Sequence, residues 1–343
     1  MKATIYDVAR EAGVSIATVS KVINGKGKIS EETRGTVLEI MARMNYQPSV
    51  IASALTGKKT YTLGLLVPDI SNPFFAEIAR AIEDQSQHYG YSVVMCSTDN
   101  KDKKVEKYIA LLLQKSVDGI IIATGIDETV IMEQLLSKSL PVVLLAREMP
   151  HAAVNTVVVD DYVGGSLAAD HLLGLGHKHI AVLGENIKVI SSRERIRGFR
   201  AKLADVQIPM REDWLKYCDY RIEDGKQKAL QLLQTEDRPT AIFACNDMLA
   251  VGALQAAKES GVKVPDDLSI VSFDNTILAM VTDPQLTTIA QPMNEMGKLA
   301  VDLIVDELKG RKNVKQRTVL RPELLIRQST ASRPGRRLPK EKK

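Results

Sequence analysis

The sequence predicts a small all-α head followed by an α/β body built from two doubly wound, parallel-sheet subdomains. Three observations carry this reading. The first 45 or so residues hold three apolar stripes at helical spacing, two of them opened by a clear capping residue. From Tyr61 onward the pattern changes to short apolar runs alternating with helical stretches, as in parallel sheets covered on both faces. These runs are too many for one sheet of usual size, so two sheets are expected.

The head begins with Thr4 and Asp7, an N-cap with an acid at the third helical position, where it can bond exposed backbone N–H. Ile5, Val8, Ala9 and Ala12 recur on one helical face, and Gly13 ends the helix, because glycine takes a left-handed turn cheaply. Ser15 starts a second helix with Val19, Val22 and Ile23 on its inner face. Two short helices joined through a glycine turn form a helix-turn-helix unit. The outer face of the second is Ile16, Ala17, Thr18, Ser20 and Lys21, small, polar or basic, and able to lie in a DNA major groove without steric conflict. Ser30-Glu-Glu-Thr opens a third helix, with acids at the positive end of its dipole and Val37, Leu38, Met41 and Met44 as its expected buried stripe. Tyr46 and Pro48 close it.

Thr4-Ile-Tyr-Asp-Val-Ala, Ala12-Gly-Val-Ser and Thr18-Val-Ser-Lys-Val-Ile-Asn resemble the opening of the lac repressor/galactose repressor family of bacterial transcription regulators. The resemblance runs on through Asn45-Tyr46 and Ala54-Leu55 to about Ser329. It implies a homodimer that reads a palindromic operator in double-stranded DNA with the second helix of each head. Ile16, Ala17 and Lys21 would approach base edges, with Tyr6, Ser20 and Asn24 at bases or phosphates and Thr4, Ser15 and Thr18 completing the DNA-facing set. Neither Ile16 nor Ala17 has a hydrogen-bonding side chain, so thymine methyls are their natural targets. Residues 49–57 are too few for a helix to persist alone in water. The family supplies a hinge helix there, ordered when two protomers meet on DNA, with Ala52 on DNA and Leu55 as an apolar wedge in the minor groove. The plainer alternative is a linker whose leucine packs on the body.

Charge is divided in the same way. Residues 1–60 carry a net +4, residues 331–343 a net +5, and the remainder a net −5. A basic head on a mildly acidic body suits a nucleic-acid binder, since only the head must meet phosphate. Cys96, Cys218 and Cys245 lie far apart without metal-ligand spacing and read as buried free thiols. No apolar stretch reaches membrane length and no secretory signal precedes the capped helix, so a cytoplasmic protein is expected.

In the body, strands are expected at 62–67, 92–95, 119–122, 142–145, 179–183, 240–244 and 268–273. Helices are expected at about 74–89, 102–115, 128–137, 162–174, 193–204, 223–234, 247–259 and 292–309. The expected domains are a head at 1–46, a hinge and linker at 47–59, a body at 60–329 and a basic, disordered tail at 330–343. Chain crossings near 159–161, 286–289 and 320–322 would make both subdomains discontinuous, at about 60–159 with 290–320 and 160–289 with 321–329. This is the periplasmic-binding-protein type of body that the family shares. Ligands of open parallel sheets bind beyond the carboxyl ends of the strands, here the cleft between the two subdomains.

Polar and aromatic residues just after strands are therefore the candidates for a small-molecule effector. Phe74 or Phe75 can stack on a ring or an apolar sugar face, or both can pack beneath the helix they start. By resemblance, Arg195 reaches into the cleft, Ser191 is a nearby polar contact and Tyr220 a stacking position. Asn246 and Asp274 match effector positions, Gln291 lies near the last crossing, and Asp247 is as readily a helix cap. Asp274 can accept two hydroxyls or fix Arg195 through an ion pair. Where relatives often carry a polar contact this chain has Ala146, and the adjacent Arg147, taken with Arg195, hints at a sugar acid or sugar phosphate as readily as a sugar. Arg193, Arg197 and Arg200 read as solvated surface. His177 and His179 lack a third ligand, and no nucleophile–base pair stands out, so neither metal, cofactor nor catalysis is expected. A solute-binding protein of transport or chemotaxis would suit the body, but the capped head and the missing signal peptide weigh against it.

Overall fold

The computed structural model describes residues 3–23, 27–46, 59–125, 129–138, 140–149, 152–186, 189–219, 221–311 and 314–333. The chain divides into two compact units, 1–60 and 61–343.

In the first unit, α1 (Ile5–Glu11) opens with a full capping box: Thr4 Oγ1 accepts from the Asp7 N–H, and Asp7 Oδ2 accepts from the Thr4 N–H at 3.0 Å. α2 (Ile16–Ile23) is capped by Ser15 through the Thr18 N–H, and α3 (Glu31–Arg43) by Ser30 through the Thr33 N–H. Gly13 sits at φ +65°, and Val14 N–H closes the turn on the Ala9 carbonyl. Val8, Ala9, Val19, Val22, Val37 and Ile40 form the core. Leu38 departs from expectation, lying 49% exposed while Ile40 takes the inward place. With Val37 buried, the inward row runs 37, 40, 41, 44, and residue 38 is turned a further 100° around the axis.

The second unit holds two six-stranded sheets. β1 (Thr62–Val67), α4 (Pro73–His88), β2 (Ser92–Ser97), α5 (Asp102–Gln114), β3 (Gly119–Ile122), α6 (Thr129–Ser137), β4 (Val142–Leu145) and β5 (Asn155–Val159) build the first subdomain. It is completed by α12 (Met293–Leu308) and β11 (Arg317–Leu320), giving a wholly parallel order β11-β5-β4-β3-β1-β2. The second subdomain runs α7 (Asp161–Gly174), β6 (Ile180–Glu185), α8 (Ile190–Asp205), β7 (Leu215–Cys218), α9 (Ile222–Leu233), β8 (Ala241–Ala244), α10 (Asp247–Glu259), β9 (Ser269–Asp274), α11 (Ile277–Val281) and β10 (Thr287–Ala290). β12 (Glu323–Leu325) closes its order β12-β10-β9-β8-β6-β7, pairing antiparallel to β10. The chain passes between sheets three times, after β5, after β10 and between β11 and β12.

Sequence patterning missed β5, β7, β10, β11 and β12 and the short α11. The central strands β1, β3 and β4 are buried along nearly their whole length, whereas β7, β11 and β12 are half-exposed edge strands without an unbroken apolar run. Residues 330–333, assigned to a disordered tail, belong to the body. Thr330 bonds His171 and Thr287, Ala331 N–H donates to Ser269 Oγ, and Arg333 N–H donates to the Leu175 carbonyl.

α7 and α8 cross on small residues. A Cβ at Gly165 would lie 1.9 Å from the Arg195 carbonyl oxygen, and one at Gly198 would lie 2.0 Å from that of Tyr162. Neither helix backbone can yield, so these glycines set the approach of α8 to α7. Gly165→Ala is expected to lower the thermal midpoint of the body by several degrees, the effect of roughly 1–3 kcal/mol of overpacking. Gly174→Ala, which meets nothing within 4 Å, is the matched control and should leave it near the parent value.

Candidate functional site

Two surfaces hold the sequence-predicted residues. On the head, Tyr6, Ile16, Ala17 and Lys21 are exposed, Ser20 and Thr18 half-exposed. Tyr6 (68%) and Ile16 (41%) are large apolar side chains left in solvent, which a self-sufficient three-helix fold would not need. Thr4 and Ser15 are committed to capping, and Thr18 shares a 2.9 Å hydroxyl contact with Ser15. These two caps set the starts of α1 and α2. Asn24, Ala52 and Leu55 lie outside the described residues.

In the body, a cleft of 1180 Å³ opens between the carboxyl ends of the two sheets. Its first-subdomain wall is Phe75, Asn100, Gly125 and Arg147. Asn100 Oδ1 accepts from the Gly125 N–H at 3.2 Å, and the Arg147 guanidinium packs so closely over Gly125 that a Cβ there would meet Nη1 at 3.2 Å. Ala146, at φ +52°, turns the chain to deliver Arg147. The opposite wall is one face of α8, Ile190, Arg193, Glu194 and Arg197, with Ser191 at its first turn.

Arg193 and Arg197 therefore line the cleft, against expectation, while Arg200 stays on the surface paired with Glu212. The reason is helical phase. Residues 190, 193, 194 and 197 share one face of α8 and Ser192, Arg195, Ile196 and Phe199 the other, so burying Arg195 turns Arg193 and Arg197 to the cleft. Arg197 is held by Glu194 at 2.5 Å and lies over the Tyr162 ring.

Beneath the cleft the structure gathers Arg195, Asn246, Asp274 and Gln291 into one buried cluster. Arg195 Nε donates to Asp161 Oδ1 at 2.8 Å, Nη1 donates to the Cys245 carbonyl and lies 3.6 Å from Asp274, and the guanidinium sits 3.7 Å from the Phe273 ring centre. Gln291 donates to Asp274 at 2.7 Å, and Asn246 donates to the buried Glu185 at 2.5 Å while capping α10 through the Leu249 N–H. These four do not line the cleft but form a buried layer beneath its floor, joined to it through Asp161, which lines the cleft and accepts from Arg195, whereas Phe75, Arg147 and Ser191 line the walls. Phe74 does neither: it packs in the core, edge-on to Phe75 with ring centres 5.0 Å apart. Tyr220 lies outside the described residues.

Asp161 and Glu185 are the residues that sequence reading missed. Glu185 ends β6 and Asp161 follows β5 by two residues, so the rule of inspecting polar groups at strand ends would have found both. Three carboxylates, Asp161, Glu185 and Asp274, surround one cation. Burial lowers the Arg195 pKa, but Asp161, Asp274 and Glu185 more than offset this and hold it raised, so the guanidinium stays charged. Burial raises all three acids against the pull of Arg195. Behind them Asp247, pushed up to about 6 by burial, accepts from Ser272 Oγ, Thr276 N–H and Thr276 Oγ1.

Among the described residues no group of three His, Cys, Asp or Glu side chains is placed to hold a metal ion, and no helix is long and apolar enough to cross a membrane. The three cysteines are buried.

Comparison with known proteins covers both surfaces. The family model "Bacterial regulatory proteins, lacI family" matches residues 4–49, and that of a periplasmic binding protein-like domain matches residues 169–330. The HTH-type transcriptional regulator DegA of Bacillus subtilis is 46% identical over 96% of this chain and 99% of its own length. A crystal structure of the lac repressor dimer bound to operator and the anti-inducer ONPF superposes with a TM-score of 0.87 at 30% identity, over 96% of this chain and 100% of that one. A LacI family regulator from Enterococcus faecium with bound ribose gives a TM-score of 0.73 at 34% identity, over 79% and 99%.

Two outcomes test the buried layer. Arg195→Met leaves the buried Glu185 and Asp274 and the half-buried Asp161 without their cation and should destabilise the body by roughly 3–5 kcal/mol in denaturant titration. The pH dependence has a definite sign. Acids whose pKa is raised by folding stabilise fully below their unfolded pKa, and that stability is lost as pH rises through the folded value. Glu185→Gln should therefore gain on the parent in thermal midpoint as pH climbs from 4 toward 7; a difference flat in pH would show that Glu185 does not titrate in this range.

Proposed function

Because the chain belongs to the lacI family of bacterial regulatory proteins, we propose that it is a cytoplasmic transcriptional repressor that binds a palindromic operator as a homodimer under the control of a small-molecule effector. The observation that carries this is the α2 face: Ile16, Ala17 and Lys21 stand in solvent on a helix whose other side is fully committed to the head's core. Such a face has the width and chemistry of a major-groove reader, with Lys21 for a guanine edge or phosphate and Ile16 and Ala17 for thymine methyls. Tyr6 and Ser20 extend it, and Asn24, Ala52 and Leu55 are proposed to join it on DNA.

The effector is proposed to sit in the body's cleft as a sugar, sugar acid or sugar phosphate. Phe75 offers an aromatic edge for an apolar sugar face, Asn100 and Ser191 offer hydroxyl partners, and Arg147 with Arg193 offers an anion partner on each wall. Contact with both walls favours one interdomain angle over another, and differential affinity for the two states is what alters the grip on DNA. The ribose-bound relative from Enterococcus faecium supports a carbohydrate in a body of this kind.

The tests are direct. Selection from a random duplex library should yield a palindrome bound at roughly nanomolar Kd, weakening steeply with salt. Lys21→Ala should weaken that binding by roughly 1–3 kcal/mol while leaving the thermal midpoint of the body unchanged. A thermal-shift screen of ribose, cellobiose, gluconate and ribose 5-phosphate should raise the body's midpoint with at least one of them. Undiminished binding by Lys21→Ala, or selection of no palindrome, would contradict the reading.

A further inference from the structure

The loop from Asp274 to Ile277 touches three parts of the molecule at once. Its first residue is the buried carboxylate beside Arg195, 3.6 Å away. Its second, Asn275, accepts from Arg327 Nη2 at 2.5 Å, just beyond the last crossing strand. Its third, Thr276, gives both its N–H (2.7 Å) and its hydroxyl (2.8 Å) to Asp247 Oδ2. Its fourth, Ile277, starts α11 and donates its N–H at 3.1 Å to Glu77 Oε1 on α4, in the other subdomain.

We infer that this loop is the joint through which the cleft floor sets the angle between the two subdomains, with Glu77 as its contact on the far side and Asp247 as the positioning residue that holds it. The inference builds on the reading of the cleft as the effector site, and adds the route by which occupancy is felt.

First, the loop is strained. Asp274 at φ +108° and Asn275 at φ +64° hold left-handed backbone that side-chain-bearing residues rarely adopt, and such conformations persist only where the surroundings over-determine them. The over-determination is visible in Asp247, whose carboxylate is buried and accepts from Ser272 and twice from Thr276, and in Arg327. Second, the loop is short. Two residues separate the Asp274 carboxylate from the Ile277 N–H, so a strained, bonded segment moves as one piece. Third, the two ends belong to different bodies. Asp274 ends β9 of the second sheet, whereas Glu77 projects from α4, which packs on the first sheet and against α12 through the close approach of Gly297 to Ala81. A hydrogen bond across that gap is made at one interdomain angle and lost at others. A ligand that engages Asp161, which lines the cleft and holds Arg195 beside Asp274, therefore has a short route to it.

The test needs neither effector nor operator. Glu106→Cys and Glu236→Cys put spin labels on exposed positions of the two subdomains, away from the buried native thiols. Labelled protein diluted into an excess of unlabelled protein keeps the measured distances within one protomer. In the full-length background, Glu77→Ala should shift the ratio of the two interdomain distance populations by roughly three- to tenfold, the yield of one partly exposed charge-assisted bond. Glu77→Gln, which keeps the acceptor oxygen, should return the ratio to within about twofold of the parent. A structural role for Glu77 within α4 alone would alter thermal midpoint and leave the distance ratio untouched. An unchanged ratio in Glu77→Ala, or failure of Glu77→Gln to restore it, would overturn the inference. Such a failure is separable from failure of the cleft assignment, which would appear as the absence of any thermal shift with the four sugars.

Discussion

One buried cation organises the body. Arg195 lies 6% exposed among Asp161, Asp274 and Glu185, and these carboxylates come from a chain crossing and the ends of two strands. A guanidinium removed from water in this way costs several kcal/mol unless its donors are met, and here they are met by Asp161, the Cys245 carbonyl and the face of Phe273. The pairing does more to specify geometry than to add stability. It ties the carboxyl ends of β6, β8 and β9 and the start of α7 into one arrangement, which underlies the cleft and reaches it at Asp161.

Several features of the fold make sense as supports for this arrangement. Gly165 passes directly over the Arg195 backbone, so α8 lies close enough to α7 for Arg195 to reach Asp161. Asp247 caps nothing, despite its place at the first position of α10; Asn246 caps that helix, and Asp247 turns inward to hold the loop that bears Asp274. Carboxylates at such a site are kept buried against their own preference, as the raised pKa values of Asp161, Glu185, Asp247 and Asp274 show. The walls add a different chemistry, with Arg147 and Arg193 facing one another across the opening and Phe75 beside them.

Much of this was legible in the residues. The helix-turn-helix is written in local signals, Thr4 with Asp7, Gly13 and Ser15, and these need no knowledge of the rest of the chain. The buried strands β1, β3 and β4 show as unbroken apolar runs and were expected at their observed bounds. The half-exposed strands β7, β11 and β12 carry no such pattern, because their pairing is decided by a distant partner. Arg195, Asp274, Asn246 and Gln291 were picked out as a group, yet as cleft contacts, and they are the layer beneath. Arg193 and Arg197 read as surface from their charge alone, yet as an i,i+4 pair opposite the buried Arg195 they share the helix face that lines the cleft. Phe74 shows the limit of position as a guide: it follows the first strand closely but packs in the core.

The head and the body thus each have a surface in excess of what folding needs, an apolar and basic helix face on one and a polar cleft on the other. A regulator requires that the two be thermodynamically linked, and linkage is reciprocal. The most direct measurement is the affinity of a ligand identified by thermal shift for the free protein and for the protein saturated with a selected operator, by titration calorimetry. Linkage predicts that the two values differ by the same factor by which that ligand alters operator affinity, typically about 5–150-fold. Equal ligand affinities with and without DNA would mean that the cleft and the reading helix do not communicate, and the regulatory role would fall.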